Sequence, residues 1–377
     1  MKIVAVATVI VVLILSISLI MNIGSAKHRV DWSVDIDGTV PGDVKVNQDG
    51  TIFVWTKDQE QPGRPCNSYI YGFGQDAVLK WDRSYNNISA VTYGGISWMI
   101  VAYDADGSGE ESTIVGFDQF NRSKMGMTIS NMTPISMVIA DDMGMFVVGH
   151  SNDERGTDGK WTGDLWMTRY WSNGTVRWQK PCAEMTLRYM SNGTLVAVGD
   201  HGATGIDRQG GEALWNISFP GSHQLNYISS TSFFCINNDS SLSSYDMDGT
   251  LRWVKMGVHD DSAKGVETVD EMGTCYLISF NDPLGKFELL GIKVDGNIVL
   301  ETDAQSDWGL VGLDAGVLTE QDGTMRAYND TGSLSWECAL PNDHPGRAWY
   351  DPSYREVLAI SVDERAGDTT LMVFRVP

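Results

Sequence analysis

A ten-residue frame ending in tryptophan recurs along this chain of 377 residues, and it limits what the chain can fold into more than any other feature. It reads Ala327-Tyr-Asn-Asp-Thr-Gly-Ser-Leu-Ser-Trp336, Ser244-Tyr-Asp-Met-Asp-Gly-Thr-Leu-Arg-Trp253 and Arg169-Tyr-Trp-Ser-Asn-Gly-Thr-Val-Arg-Trp178. Weaker copies end at Trp81 and, with one extra residue, at Trp215. Gly291 to Leu300 and Gly116 to Met125 keep the frame and lose the tryptophan. In each copy a short alternating strand enters an Asp/Asn-Gly turn, where glycine takes a positive φ without steric cost. A second strand then leaves the turn and ends on a large side chain. This is a β-hairpin with a packing anchor.

Between anchors lie two more strand-like runs, such as Leu187-Arg-Tyr with Thr194-Leu-Val-Ala-Val-Gly, and Ser136-Met-Val-Ile-Ala with Met145-Phe-Val-Val-Gly. Four strands per repeat of roughly 40 to 50 residues is the pattern of a propeller blade. The last run, Leu371-Met-Val-Phe-Arg-Val, is a third strand with nothing after it. The first, His28-Arg-Val-Asp-Trp32-Ser-Val, is an outer strand with nothing before it. Pairing the two would share one blade between the termini and leave no ragged edge. Anchors at Trp32, Trp81, Met125, Trp178, Trp215, Trp253, Leu300 and Trp336 predict an all-β propeller of about eight four-stranded blades over residues 27–377. Seven is the alternative if the degenerate copy at Met125 is not a blade. The frame A-x-[DN]-x-x-G-x-x-x-W resembles the repeat of PQQ-like, quinoprotein-type propellers, in which the tryptophan docks one blade on the next. True quinoprotein dehydrogenases of that family hold their quinone with a vicinal cysteine pair and a calcium site on a longer chain. No two cysteines are adjacent here, so the resemblance implies the fold and the branch that binds no quinone.

The N-terminus is read separately. No charge occurs between Lys2 and Lys27, and a run of about twenty apolar residues is long enough to span a bilayer as a helix. Gly24-Ser25-Ala26 offers the small residues of a cleavage site, so residues 1–26 are a signal peptide or an uncleaved anchor. N-x-[ST] sequons recur at Asn87, Asn121, Asn173, Asn192, Asn216, Asn238 and Asn329. Another, at Asn131, has a proline just beyond it. Together these features predict an extracytoplasmic, glycosylated protein. The competing reading of Asn173 and Asn192 is that each Asn-Gly is simply a hairpin turn.

A net charge of −22 excludes a phosphate-backbone partner, which would need lysine and arginine to neutralise it. The five cysteines form no CxxC pair, and Cys235 and Cys275 read as buried small hydrophobes. There is no phosphate loop, HExxH or G-x-S-x-G, and the six histidines are scattered, so no catalytic residue is assigned.

Two features stand above that background. Asp104-Ala-Asp106-Gly-Ser108-Gly109-Glu110 resembles the start of a calcium loop, with alternating oxygen ligands and a sixth-position glycine, but position twelve is Val115 instead of glutamate. Asp104, Asp106, Ser108 and Glu110 are therefore candidate Ca2+ ligands, against the reading of a solvated turn. Asp35-Ile-Asp37-Gly and Asp246-Met-Asp248-Gly are read as hairpin turns. The longest connections, 56–68, 104–113 and 149–165, fall between second and third strands of the first three blades. They should form one ridge on a single face, carrying Asp153, Glu154, Asp158, Trp161 and Trp166 as candidate partner-binding residues. Such a ridge suits a protein or glycan of the cell envelope, and a binding scaffold is the expected function. The alternatives are a quinoprotein-type oxidoreductase or divergent hydrolase acting in the central channel, and a self-packing envelope protein.

Overall fold

The computed structural model describes residues 26–375 apart from 28–30, 48, 60–65, 95–97, 105–110, 140–143, 152–162, 184–185, 190–193, 200–201, 219–226, 229–231, 237–240, 247, 257–266, 271, 282–283, 305–308, 322–323, 340–344, 352–354 and 364–367. Consecutive antiparallel strands group into sheets covering 40–86, 88–130, 132–181, 186–218, 227–255, 267–304 and 309–339, here blades 1 to 7. Blade 8 takes three strands from 345–375 and its outer strand, Trp32–Ile36, from the other end of the chain. That strand pairs antiparallel with Asp368–Arg375, Trp32 opposite Val373 and Ile36 opposite Thr369. The termini therefore meet as expected, there are eight blades, and the copy at Met125 is a true blade. The expected N-terminal helix lies outside the described residues.

The first strand of each blade is the innermost, because first strands of successive blades approach one another, as Val40–Val46 does Pro345–Asp351 and Ile88–Gly94 does Met132–Ile139. Each interface between neighbouring blades has its own apolar core. Phe53, Ile70 and Trp81 of blade 1 pack on Met99, Val101 and Phe117 of blade 2. The cores continue around the ring until Val357 and Phe374 of blade 8 meet Trp336 of blade 7, and Leu358 and Val373 meet Val54 and Tyr71 of blade 1. In a closed ring of sheets each one packs on two neighbours and so buries both faces.

The frame explains this packing. In each hairpin between third and outer strands the backbone closes in the same way: in blade 3, Trp171 N–H donates to Thr175 O and Gly174 N–H to Trp171 O. The ladder shifts register at the same point, for instance between Arg169 and Tyr170 or between Ala327 and Tyr328. This is a three-residue loop, lengthened to four residues in blade 4 where Asp207 N–H donates to Glu212 O, and it ends in a left-handed residue that forms a bulge. Glycine fills the left-handed position in blades 3 to 7, with φ of 82°, 74°, 83°, 84° and 77°; Ala77 (64°) and Asn121 (62°) fill it in blades 1 and 2. The anchor of one blade then lies on the turn of the next. Trp81 Nε1 donates to Gln119 O at 2.9 Å, and Trp253 Nε1 to Val294 O at 2.8 Å. Trp178 and Trp215 lie over Gly211 and Gly249, where an added Cβ would come within 2.9 Å and 2.8 Å of their indoles. The frame's first residue sits directly across from the anchor: Gly72 opposite Trp81, Gly205 opposite Trp215, Ala327 opposite Trp336. Small residues there make room for the ring. Arg169, opposite Trp178, is the exception; it is fully buried, lies 5.0 Å over Phe146, and donates to Arg208 O of the next turn.

One reading changes. Asp35-Ile-Asp37-Gly is not a hairpin turn, because the strands on either side of it belong to different sheets. It is the link from the outer strand of blade 8 to the inner strand of blade 1. Thr56 Oγ1 and Thr369 Oγ1 hold it by donating to Asp37 O and Gly38 O, and Tyr71 donates to Asp37 Oδ2 at 2.9 Å. A composition of Asp and Gly suits either structure, which is why the sequence misleads here. Asp246-Met-Asp248-Gly is a hairpin turn, as expected.

Candidate functional site

Up-and-down blades divide their connections between two faces. Turns joining inner to second and third to outer strands share one, the hairpin face. Connections from second to third strands share the other, the loop face, with the links between blades. In blades 1, 2 and 3 the second-to-third connections run from 58 to 66, 104 to 110 and 152 to 164. These blades are consecutive in the ring, so the three longest such connections emerge side by side on the loop face.

Their roots are tied down. In blade 1, Asp58 N–H donates to Asn67 O at 2.9 Å, and the Asp58 carboxylate accepts from Asn67 Nδ2 at 3.0 Å and from the Tyr69 hydroxyl at 3.3 Å. Asn87, in the left-handed region at φ 50°, accepts from Cys66 N–H at 2.9 Å and donates its own N–H back to Cys66 O, joining this loop to the link into blade 2. In blade 3, Ser151 N–H donates to Asp164 O at 2.8 Å, and His150 Nδ1 lies 3.0 Å from Gly163 O. Loops rooted in this way hold their residues on a rigid base.

Sequence reading does not single out the tyrosines that this arrangement gathers. Tyr69 and Tyr85 end strands of blade 1 near the loop face, and Tyr103 ends the second strand of blade 2. The rings of Tyr85 and Tyr103 are 4.6 Å apart, and Arg83 Nη1 donates to the Tyr85 hydroxyl at 3.2 Å. Burial, then the neighbouring Asp58 carboxylate, raises the Tyr69 phenol above its ordinary pKa; burial and then Tyr85 raise Tyr103. These phenols stay protonated as donors. The missed signal was a tyrosine recurring where alternating strands meet a loop.

The candidate residues divide unevenly. Asp104 stands at the root of its loop, with its N–H directed to Asn87 O at 3.4 Å. Asp106, Ser108 and Glu110 lie outside the described residues, and so do Asp153, Glu154, Asp158 and Trp161. Among the described residues no group of three or more His, Cys, Asp or Glu could hold a metal ion. Trp166 is half-buried and packs against the core between blades 2 and 3.

Of the sequons, Asn173 and Asn329 occupy hairpin turns, each Oδ1 accepting a backbone N–H and a threonine hydroxyl two residues on. Asn121 takes a left-handed turn position and accepts from Arg83 Nε. Asn216 is exposed on the outer strand of blade 4, and Asn87 is the link residue described above. Asn192 and Asn238 lie outside the described residues. None of the five cysteines is in a disulfide, and they belong to separate parts of the ring: Cys66 in blade 1, Cys182 after blade 3, and buried Cys235, Cys275 and Cys338 in blades 5, 6 and 7. The residues present therefore do not fit a quinone held by a vicinal cysteine pair.

No known protein family matches the chain, and no curated protein is similar to it in sequence. Solved structures are similar in fold. A europium-containing methanol dehydrogenase superposes with a TM-score of 0.56 at 12% identity, over 92% of this chain and 93% of that one. The C-terminal WD40 domain of Sif2 gives 0.54 at 9% identity, over 94% and 99%. One is an enzyme and the other a WD40 domain, so the likeness carries the architecture alone. By fold, the chain is an eight-bladed β-propeller of four-stranded blades, closed by its own two ends.

Proposed function

We propose that this protein is a surface-displayed binding scaffold of the cell envelope. It acts through the loop face of blades 1 to 3 on a protein or glycan partner, without catalysis. The observation that carries the reading is the side-by-side emergence of the three longest loops from tied roots, beside tyrosines and carboxylates. Tyrosine gives large, rigid contact area with a hydroxyl to donate, and aspartate and asparagine accept and orient. The acidic balance favours a partner with cationic groups. Export by residues 1–26 and glycosylation at the sequons belong to the same proposal, as does Ca2+ at Asp104, Asp106, Ser108 and Glu110.

The test is capture from native membranes by the immobilised protein, with two variants beside it. One replaces Asp104, Asp106 and Glu110 by Ala, the other Asp153, Glu154 and Asp158. Loss of the same partner with either variant supports the ridge; unchanged capture with both removes it. A rise in melting temperature with added Ca2+ in the parent, absent from the first variant, assigns the ion, and no rise leaves a solvated turn. A channel oxidoreductase remains the alternative because one fold neighbour is a dehydrogenase. A chromophore retained after incubation with PQQ and Ca2+ would favour it. Concentration-dependent light scattering would favour the self-packing reading.

A further inference from the structure

The chain enters the propeller at a defined place and in a defined direction. Ala26–Lys27 adds to the outer edge of blade 7 as a fifth strand, parallel to Leu334–Ala339, with Ala26 opposite Trp336 and Lys27 opposite Glu337. Leu334–Ala339 leaves the hairpin turn at 329–333 and runs toward the loop face. A parallel neighbour runs the same way, so Ala26–Lys27 starts on the side of the hairpin face and heads toward the loop face. The last large residues of the apolar run, Met21 and Ile23, precede Ala26 by only five and three positions. Five residues of extended chain reach at most about 17 Å. Ala26 sits opposite the third residue of its neighbour, about 7 Å along that strand from the turn.

From this we infer that the hairpin face at blade 7 rests against the lipid bilayer and the loop face points away from it. This rests on the proposed anchor being retained. The hairpin turn of blade 7 is then held within about 10 Å of the headgroups, while the far end of the same strand stands about 20 Å further out. The ridge of blades 1 to 3 opens away from the membrane, where a partner in the surrounding medium can reach it.

The test uses the full chain in phosphatidylcholine–phosphatidylglycerol vesicles carrying an acceptor dye on a fraction of the headgroups. With Cys66 and Cys182 changed to Ser, a donor dye is placed by Ser333→Cys or Ala339→Cys, both exposed and at opposite ends of one strand. Energy transfer at least twofold higher from position 333 than from 339 is expected. Equal or reversed transfer in a chain that floats with the vesicles overturns the orientation and leaves the anchor standing. A chain that does not float overturns the anchor and the orientation with it. As a second measurement, Lys27→Cys with Glu337→Cys should form a disulfide on mild oxidation. Its absence in a folded chain overturns the edge strand on which the direction depends.

Discussion

The hairpin turns give the most quantitative check on how the frame works. Ala77 occupies, at φ 64°, the left-handed position that glycine fills in blades 3 to 7. For an L-residue with a Cβ that conformation costs about 1–2 kcal/mol. Glycine relieves it but loses about 0.5–1 kcal/mol more chain entropy on folding. Ala77→Gly should therefore stabilise the protein by about 0.5–1 kcal/mol. The reverse change at Gly249 adds the same strain and also a collision. Its φ is 83°, and a Cβ would stand 2.8 Å from Trp215 Cδ2, with two further indole atoms at 3.0 Å. Displacing a packed ring adds roughly 1–2 kcal/mol, so Gly249→Ala should cost about 2–3 kcal/mol in total. Urea unfolding followed by tryptophan fluorescence reads both. The midpoint should rise for the first variant and fall for the second, at unchanged slope. If Ala77→Gly lowers the midpoint while Gly249→Ala leaves it alone, turn conformation does not link the blades and the account of the frame is wrong.

Other outcomes follow from the same geometry. Trp253→Phe removes the indole N–H that donates to Val294 O and should cost about 1–2 kcal/mol, read as a fall in melting temperature. Burial of the Asp118 carboxyl works to raise its pKa, but hydrogen bonds from Arg122, from the Arg122 and Phe120 backbone N–H groups and from Lys124 outweigh this and hold it at about 2. Its contribution is therefore present above the unfolded value near 4 and fades as pH falls through about 2. The stability gap between the parent and Asp118→Asn should be full at pH 6 and vanish near pH 2. Burial pushes the Cys182 thiol up to about 11 and Cys235 up to about 12. Maleimide at pH 7 should label both slowly in the folded protein and all five thiols promptly in denaturant. Deleting residues 1–38 removes the outer strand of blade 8 and bares the edge of Asp368–Arg375, so the shortened chain should associate on size exclusion.

Much of the ring was legible because its information is local. A turn glycine four residues before a tryptophan states a hairpin and an anchor together, and even Gly116 to Met125, without the indole, kept enough of the pattern to be counted. The exceptions are equally physical. Asp37-Gly38 has turn composition but spans two sheets, a fact set by pairing across more than 330 residues with Thr369 and invisible to local pattern. The fully buried Arg169 stands where small residues are usual, and its acceptor, Arg208 O, belongs to the following blade. At the loop face, lengths of connections could be counted from the sequence, which placed the ridge on blades 1 to 3. The pairing of Tyr85 with Tyr103 depends on two blades meeting, and no spacing within either announces it.

Because blade 8 is sewn from both extremities, the wheel cannot shut until the strands at 345–375 have been synthesised. Until then the strand at 32–36 waits without its mate, and blades 1 to 7 form an open arc with an apolar flank at each tip. Closing so long a loop is entropically slow, which makes this clasp the natural final step of folding. It is also the seam at which pulling on either terminus, or a protease working inward from it, would first undo the molecule.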